Sequence, residues 1–457
     1  MRDELPEGWA QVSLSECVDV LDSQRVPVNS DERAKRKGRV PYYGATGQVG
    51  WIDDHIFDEE LLLLGEDGAP FLDKSKAIAY IIAGKSWVNN HAHVLRACSE
   101  ITKNHYLKFY LDNFDFHGFV NGTTRMKLTQ ASLNSIPVRL APLPEQRRIA
   151  ERLEKLLAEV EQCKERMAKI PVLLKRFRQS VLAAACSGRL TADWRGKKLP
   201  LKTINSDSEL PDSWKAVSLG SLISDGPQNG LYKPASFYGR GTLIVRIDAF
   251  YDGTISAWSE LKRLHLTKEE QTQFELRNGD ILINRVNSPK FLGKAALVRE
   301  LSEPCVYESN MMRLRLDLSQ VLPNYAILYL QSFHGLSELQ RNAKHAVNQS
   351  SINQQDAKAV SFNLPSISEQ QEIVRRVDAL FALADRIEER YQGAKKQVDK
   401  LTQSILAKAF RGELVPTEAE LAAREGRDYE SAAQLLQRID PSATKRIPRG
   451  ASRRAKL

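Results

Sequence analysis

The sequence predicts an α+β protein in which two mixed α/β modules alternate with two long helices. The helices are expected to pair as an antiparallel coiled coil, which gives the chain a pseudo-twofold internal repeat. Three observations carry this. LPEGW at 5–9 recurs as LPDSW at 210–214, each followed by an alternating stretch, AQVSL and KAVSL. Residues 145–190 align without a gap on 369–414, with fifteen identities that include Glu145-Gln146, Ile149, Arg152, Leu156, Ala158, Gln179-Ser180, Leu182-Ala183, Ala185, Gly188 and Leu190. Both copies hold a 4-3-4-3 apolar spacing, the pattern of a coiled-coil seam. The order is module, repeat, module, repeat.

The first seam runs Ile149, Leu153, Leu156, Val160, Cys163, Met167, Ile170, Leu174, Phe177, Val181. The second runs Ile373, Val377, Leu380, Ala384, Ile387, Tyr391, Ala394, Val398, Leu401, Ile405. Each copy stops at a glycine, Gly188 or Gly412, where a left-handed C-cap is expected. Leu143-Pro144 and Ser366-Ile367-Ser368 supply the starts, Ser368 being a suitable N-cap. Pro171 interrupts the first copy only, its counterpart being Lys395. A proline there removes a helical hydrogen bond and clashes with the preceding turn, which predicts a kink or break near 169–172.

These signals divide the chain into a first module (1–142), a helical region (143–200), a second module (201–365), a second helical region (366–415) and a tail (416–457). In the first module, 60–65, 77–84 and 93–98 are expected strands and 105–114 a helix. In the second, 242–250, 279–286 and 295–301 are strands and 323–335 a helix. The module interiors share little sequence, which suggests one scaffold with two specificities. The tail opens with a short acidic helix, EAELAARE (418–425). It ends in the basic KRIPRGASRRAKL (445–457), expected to be disordered and either phosphate-attracting or merely solubilising.

A chain of 457 residues is long enough for two or three cores. A net charge of +9 points weakly to a polyanionic partner. Cys17, Cys98, Cys163, Cys186 and Cys305 include no C-x-x-C pair, which argues against a zinc knuckle or a disulfide framework. The opening MRDELPEGWAQ lacks the apolar core of a signal peptide, and no apolar run reaches the ~18–20 residues needed to span a bilayer. The expectation is a cytoplasmic protein with no membrane partner.

No catalytic centre is visible. AYIIAGKS (79–86) ends like a phosphate-binding loop, but Ala79 stands where the first glycine belongs and the run has the pattern of a strand. No N/D-P-P-[YF] tetrapeptide occurs, so amino-methyl transfer lacks its usual base-binding element. Glu260-Leu261-Lys262 is half of a nuclease signature without an upstream acidic partner, and a solvated loop explains it better. His91 and His93 have the spacing of metal ligands but lack a third; no metal is expected.

Candidates for DNA contact are more numerous. RAKRKGR (33–39) places Lys35, Arg36 and Lys37 beside Tyr42 and Tyr43, suited to backbone contact and close approach to a groove; a solvated charged loop fits as well. WVNNHAH offers Asn89, Asn90 and His91, or else is a polar turn that satisfies its own backbone. NGTTRMKLT (121–129) contributes Thr123, Thr124, Arg125 and Lys127. AVNQSSINQ (346–354), at the same offset in the second copy, contributes Asn348, Gln349 and Ser350. Lys233, Arg285, Asn287, Lys290 and Lys344 complete the set in the second module.

This arrangement resembles the specificity subunit of type I restriction-modification systems. The residues that carry the resemblance are LPEGW and LPDSW, RMKLTQASLNSIPVRLAPLPEQRRIAERL (125–153), LKRFRQSVLAAACSGRLTADWR (174–195), SEQQEIVRRVDALFALADRIE (368–388) and LTQSILAKAFRGEL (401–414). The helix copies look like that family's central and distal conserved regions, and the modules like its two target recognition domains. Pro171 fits, since the family often has Ile-Pro there. The resemblance implies a non-catalytic subunit that binds double-stranded DNA, two methyltransferase (M) subunits and, through the complex, restriction (R) subunits. Each recognition domain would read half of a split site, with the helices as spacer. S-adenosylmethionine, ATP and Mg would bind the partners and no cofactor this chain. The alternative is a free-standing DNA-binding regulator with a coiled-coil spacer, which an adenine methyltransferase gene next door would disfavour.

Overall fold

The computed structural model of the chain describes residues 4–196, 210–250, 253–255, 258–346 and 349–439, with only the backbone at 345, 346 and 349. The basic end at 445–457 and Asn348 lie outside the described residues, as does the side chain of Gln349. The chain forms two compact units. Met1–Ala168 and Gln392–Leu457 make one; Lys169–Tyr391 make the other. Each unit therefore joins one module to parts of both helix copies.

The two modules share one topology. Each has a four-stranded antiparallel sheet. In the first module its order is Val18–Val20, Ala92–Ala97, Leu61–Gly65, Ala79–Ile82. In the second it is Ile223–Asn229, Met311–Leu316, Ile281–Asn284, Ala295–Leu297. Each also has a strand paired antiparallel on one side and parallel on the other. Val40–Gly44 lies between Gly47–Ile52 and Lys85–Val88. Tyr238–Val245 lies between Lys262–Leu264 and Cys305–Tyr307. A strand after each Leu-Pro motif pairs with the strand that leads into the helix: Ala10–Ser13 with Pro137–Leu140, and Lys215–Ser218 with Ser361–Leu364. The shared scaffold expected from the edges thus extends through interiors of unlike sequence.

Burial on both faces explains the continuous apolar runs. Leu62 and Leu64 join a core with Leu95, while Leu61 and Leu63 join another with Val88 and Val94. Ile281 and Ile283 face one core of the second module and Leu282 another. The phosphate-loop look-alike is two consecutive strands of different sheets, Ala79–Ile82 and Lys85–Val88. The expected helix at 323–335 is two, Pro323–Gln331 and Phe333–Gln340. Extended Ser332 ends the first, and its hydroxyl accepts the Gly335 N–H to cap the second.

The first helix copy breaks where Pro171 predicts, into Leu143–Ala168 and Ile170–Cys186, with Pro171 in the first turn of the second piece. The other copy, Ile367–Ala409, is a single helix of 43 residues. Within each unit the pairing is antiparallel. In the first, Ile149 and Leu153 near the start of one helix share a core with Leu406, Ala409 and Phe410 at the end of the long one. In the second, Arg178 bonds Asp385 and Glu388, whereas Arg376, nearer the start of the long helix, reaches the Leu190 carbonyl and Asp193.

The seam is only partly as expected. Ile149, Leu153, Val160, Leu174, Ile373 and Val377 are buried; Leu156, Phe177, Leu380 and Val398 are half-buried. Ile387 and Leu401 are exposed at 41% and 42%, and Leu406, off the predicted seam, is buried at 2%. An unsupercoiled helix turns about 100° per residue, so Leu406 falls about 40° from the direction of buried Ala384 and Ile405 about 60° to its other side. The strict 3.5-residue repeat drifts off the buried face before the helix ends.

The repeated motifs meet at the helix heads. Glu145, buried, accepts from Trp9 Nε1 at 2.9 Å and from the Glu418 N–H at 2.8 Å. Gln146 accepts from the Thr102 hydroxyl and donates to the carbonyls of Ile101 and Ala141. In the other unit Glu369 accepts from Thr191 at 2.7 Å and pairs with Arg195. Gln370 accepts from the Leu322 N–H and donates to the carbonyls of Gln320 and Pro365. The helix-ending glycines touch the Leu-Pro motifs. A Cβ at Gly188 would stand 2.5 Å from Pro211 Cγ, and one at Gly412 2.7 Å from Pro6 Cγ, both with left-handed backbone at φ +76° and +73°. Gly412→Ala is therefore expected to destabilise the first unit by about 1–2 kcal/mol from backbone strain alone, with the Pro6 overlap added. Urea unfolding should show a lower midpoint, and an unchanged one would mean that the contact is slack.

Candidate nucleic-acid interface

Three backbone hydrogen bonds build the same corner on each module. In the first, Asn89 N–H donates to the Tyr43 carbonyl (3.1 Å), Glu66 N–H to His91 (2.8 Å) and Leu128 N–H to Glu66 (2.7 Å). In the second, Glu308 N–H donates to Val245 (3.1 Å), Arg285 N–H to Asn310 (2.9 Å) and Ile352 N–H to Arg285 (2.9 Å). Each corner brings together the ends of two sheets and one hairpin: Val120–Asn121 with Lys127–Leu128, or Lys344–Ala346 with Gln349–Ser351. Many of the sequence candidates meet there.

In the first corner, Arg125 Nη2 donates to Asp67 Oδ1 at 2.8 Å, His91 Nδ1 lies 2.7 Å from the same oxygen, and Lys127 Nζ lies 3.2 Å from Glu66. Thr123, Thr124 and Asn90 are exposed around it. Asn89 is buried, its Oδ1 accepting the His91 N–H, so it acts as a turn residue serving its own backbone. Burial works to raise the Asp67 carboxyl, but the Arg125 hydrogen bond and the His91 charge outweigh it and hold it below its ordinary value. In the second corner, Asn287 pairs in register with Ser350, and Arg285 donates to the Ser309 carbonyl. Lys344 is exposed at its edge, while Ser350 is buried. Burial raises the Glu308 carboxyl against the Ile247 N–H and Arg246.

Other candidates fall elsewhere. Tyr42 is a core residue, 1% exposed, with its hydroxyl on the Val28 carbonyl, so the basic–aromatic reading of 33–43 loses that ring. Tyr42 and Trp87, partners in register, share a small core with Val28 and Ile52, and that packing turns the ring inward. Tyr43 is half-buried with its ring 6.0 Å from that of Tyr80. Arg36 lies over Trp87 at 4.5 Å and pairs with Asp53, while Lys35 and Lys37 are exposed. Lys233 is held by Glu270 at 2.6 Å and lies over Phe237. Lys290 is exposed and lines a cleft of about 850 Å³ with Pro171, Lys175 and Arg178.

Sequence reasoning missed the partners beneath the first corner. Asp22, Glu66 and His93 bring ligand-type atoms within 4.8 Å of one another. Arg25 reaches both carboxylates: its Nη1 lies 2.7 Å from Glu66 and its Nη2 3.4 Å from Asp22. Both His93 ring nitrogens are engaged, Nδ1 by Asp22 at 2.6 Å and Nε2 by the Leu128 carbonyl at 2.9 Å. This geometry is that of an ion-pair network, and the His91 and His93 rings bind different carboxylates. Burial works to raise the Asp22 carboxyl, but the His93 hydrogen bond and charge, the Val94 N–H and Arg25 together lower it from 3.8. A lowered folded value means that this stabilisation is complete above the ordinary aspartate range and is lost as pH falls through the folded value. Arg25→Ala leaves the partly buried Asp22 and Glu66 without their guanidinium, though with His93 and Lys127 still in place. It should lower stability near neutral pH by about 1.5–3 kcal/mol in urea unfolding; an unchanged midpoint would refute the network.

Comparison with known proteins agrees with this duplicated build. The family model described as "Type I restriction modification DNA specificity domain" matches residues 6–171 and 211–394. The chain is 33% identical over 442 residues to the StySPI specificity subunit of Salmonella potsdam, covering 90% of each. It is 34% identical over 341 residues to the EcoKI specificity subunit of Escherichia coli K12, covering 73% of this chain and 70% of that one. Among solved structures, a chain from work on complex assembly and conformational transition of the type I R-M system superposes with TM-score 0.64 at 19% identity, over 90% of this chain and all of that one. The HsdS subunit of Thermoanaerobacter tengcongensis gives 0.55 at 20% identity, over 90% and 98%. No helix among the described residues is long and apolar enough to cross a membrane. With one module-and-helix match on each copy of its repeat, the chain belongs to the type I restriction modification DNA specificity family.

Proposed function

We propose that this chain is the DNA sequence-specificity subunit of a type I restriction-modification complex. Each module reads one half of a bipartite site in double-stranded DNA. The helices set the spacing and dock two methyltransferase subunits, through which restriction subunits join. The chain itself is non-catalytic and binds no cofactor; S-adenosylmethionine, ATP and Mg act on the partners, in the cytoplasm. The observation that carries this reading is the corner made twice by matched backbone hydrogen bonds with unlike side chains, Glu66-Asp67 in one and Arg285-Val286 in the other. A shared scaffold with different presented groups is what two readers of different half-sites require, because sequence is read by side chains at base edges.

The first test exchanges residues 1–142 for the equivalent module of a relative and maps methylated adenines in cells that make the complex. One half of the motif should change and the other persist; a change in both halves would end the modular reading. The second inserts four residues after Arg390, within the unbroken Ile367–Ala409 helix. Four residues add about 6 Å of helix. A library of spacers should show the preferred gap lengthened, or activity lost, with the bases of each half unchanged. If the original spacer stays best, the helices are only tethers.

A further inference from the structure

We infer that Arg125 reads a guanine within the half-site of the first module, and that Asp67 and His91 are positioning residues that fix it there; this rests on the proposal that the module reads DNA. Arg125 stands in the loop of the Val120–Asn121 and Lys127–Leu128 hairpin with its side chain 61% exposed. Its tip is nonetheless fixed. Nη2 donates to Asp67, whose same oxygen is held by His91. The rest of the side chain lies along Gly68, where a Cβ would stand 3.4 Å from Nε and 3.8 Å from Cγ. The loop is tied down in turn by the Gly68 N–H on the Met126 carbonyl and by the Asp67–Lys127 bridge. An arginine on an open loop would lose rotamer freedom on binding; this one has already lost much of it.

The charge balance separates a base from a phosphate as the target. Asp67 offsets Arg125, Glu66 offsets Lys127, and Asp22 with Glu66 offsets Arg25. A corner with its cations neutralised has little attraction for an anionic phosphate. It keeps the planar fork of N–H donors, however, and guanine presents two neutral acceptors, O6 and N7, matched to that fork. The second corner has Arg285-Val286 where the first has Glu66-Asp67, so it lacks the carboxylate at this point and cannot hold an arginine in this way.

The experiment maps methylated adenines in cells that make the full complex with Arg125→Ala, Arg125→Lys, Asp67→Asn, or Arg125→Ala combined with Asp67→Asn. Discrimination at one guanine of the first half-site should fall about tenfold or more for both arginine variants, because lysine supplies charge without the fork. Asp67→Asn should relax the same position by less, and the double variant should match Arg125→Ala. The second half-site should persist throughout, which reports a folded complex. The salt dependence of binding should not change with Arg125→Ala. A uniform loss over all sequences, with the salt slope reduced by about one, would make Arg125 a phosphate contact and overturn the inference. An unchanged first half-site would overturn it too. If the unaltered complex marks no bipartite motif at all, the proposed function fails and takes this inference with it.

Discussion

Each half of the chain depends on one buried pair at the head of a helix, Glu145-Gln146 or Glu369-Gln370. The glutamine amide occupies two carbonyls and one donor of its module, so the helix start cannot shift without leaving several buried polar groups unpaired, each at a cost of about 1–3 kcal/mol. The glutamate ties in chain that returns from the end of a helix: the Glu418 N–H in one unit, Thr191 and Arg195 in the other. One dipeptide thus joins module, helix start and returning chain. The direction in which each helix leaves its module follows from it, and so does the antiparallel pairing inside each unit.

The two nodes are equivalent in position but not in partners. Trp9 donates to Glu145, while Trp214 Nε1 has no hydrogen-bond partner among the described residues and its ring lies 5.9 Å from the Arg195 guanidinium carbon. In the first unit the returning chain continues into the Glu418–Glu425 and Ala432–Ile439 helices. Arg148 and Arg427 hold the Glu418 carboxyl, outweighing the burial that works to raise it, and the Ala432 N–H donates to the Gly8 carbonyl at 2.9 Å. Residues from both ends of the chain therefore complete the node at Glu145, whereas internal segments complete the one at Glu369.

Most of the fold was legible because its determinants are local or repeated. Pro171 broke the helix for a reason that needs no tertiary context, and the Leu-Pro, Glu-Gln and Gly motifs recur because they touch one another. The seam was legible only as long as a 3.5-residue repeat follows a helix nearer 3.6, which is why Leu401, about 100° from the direction of buried Ala384, departed from it. The Ala432–Ile439 helix lies outside the repeat, yet its start is signalled locally by a capping box: the Ser431 hydroxyl accepts the Gln434 N–H and the Gln434 side-chain oxygen accepts the Ser431 N–H. The corners were half visible. The NNHAH and NGTTRMKLT runs stood out by composition, but nothing in the sequence says that Asp67 meets Arg125 across 58 positions or that Arg25 enters beneath them. Tyr42 was misplaced because alternation along a strand does not tell which face is solvent until a second sheet covers it.

The corners also explain how one scaffold can carry different specificities. The bonds that shape them run from backbone to backbone, so folding places little demand on the side chains they present, and those are free to differ. In the first corner the freedom is taken up by carboxylates that hold cations in fixed geometry. In the second, the Oδ1 atoms of Asn229 and Asn284 are buried without a hydrogen-bond partner among the described residues, and burial raises the Glu308 carboxyl. Unmet acceptors are destabilising, so a module keeps them only where the rest of its core is strong enough to bear the loss. The apolar strands Ile281–Asn284 and Met311–Leu316, buried almost throughout, provide that core. Stability is concentrated in the strands and diversity at their ends, and that division lets the ends change without unfolding the reader.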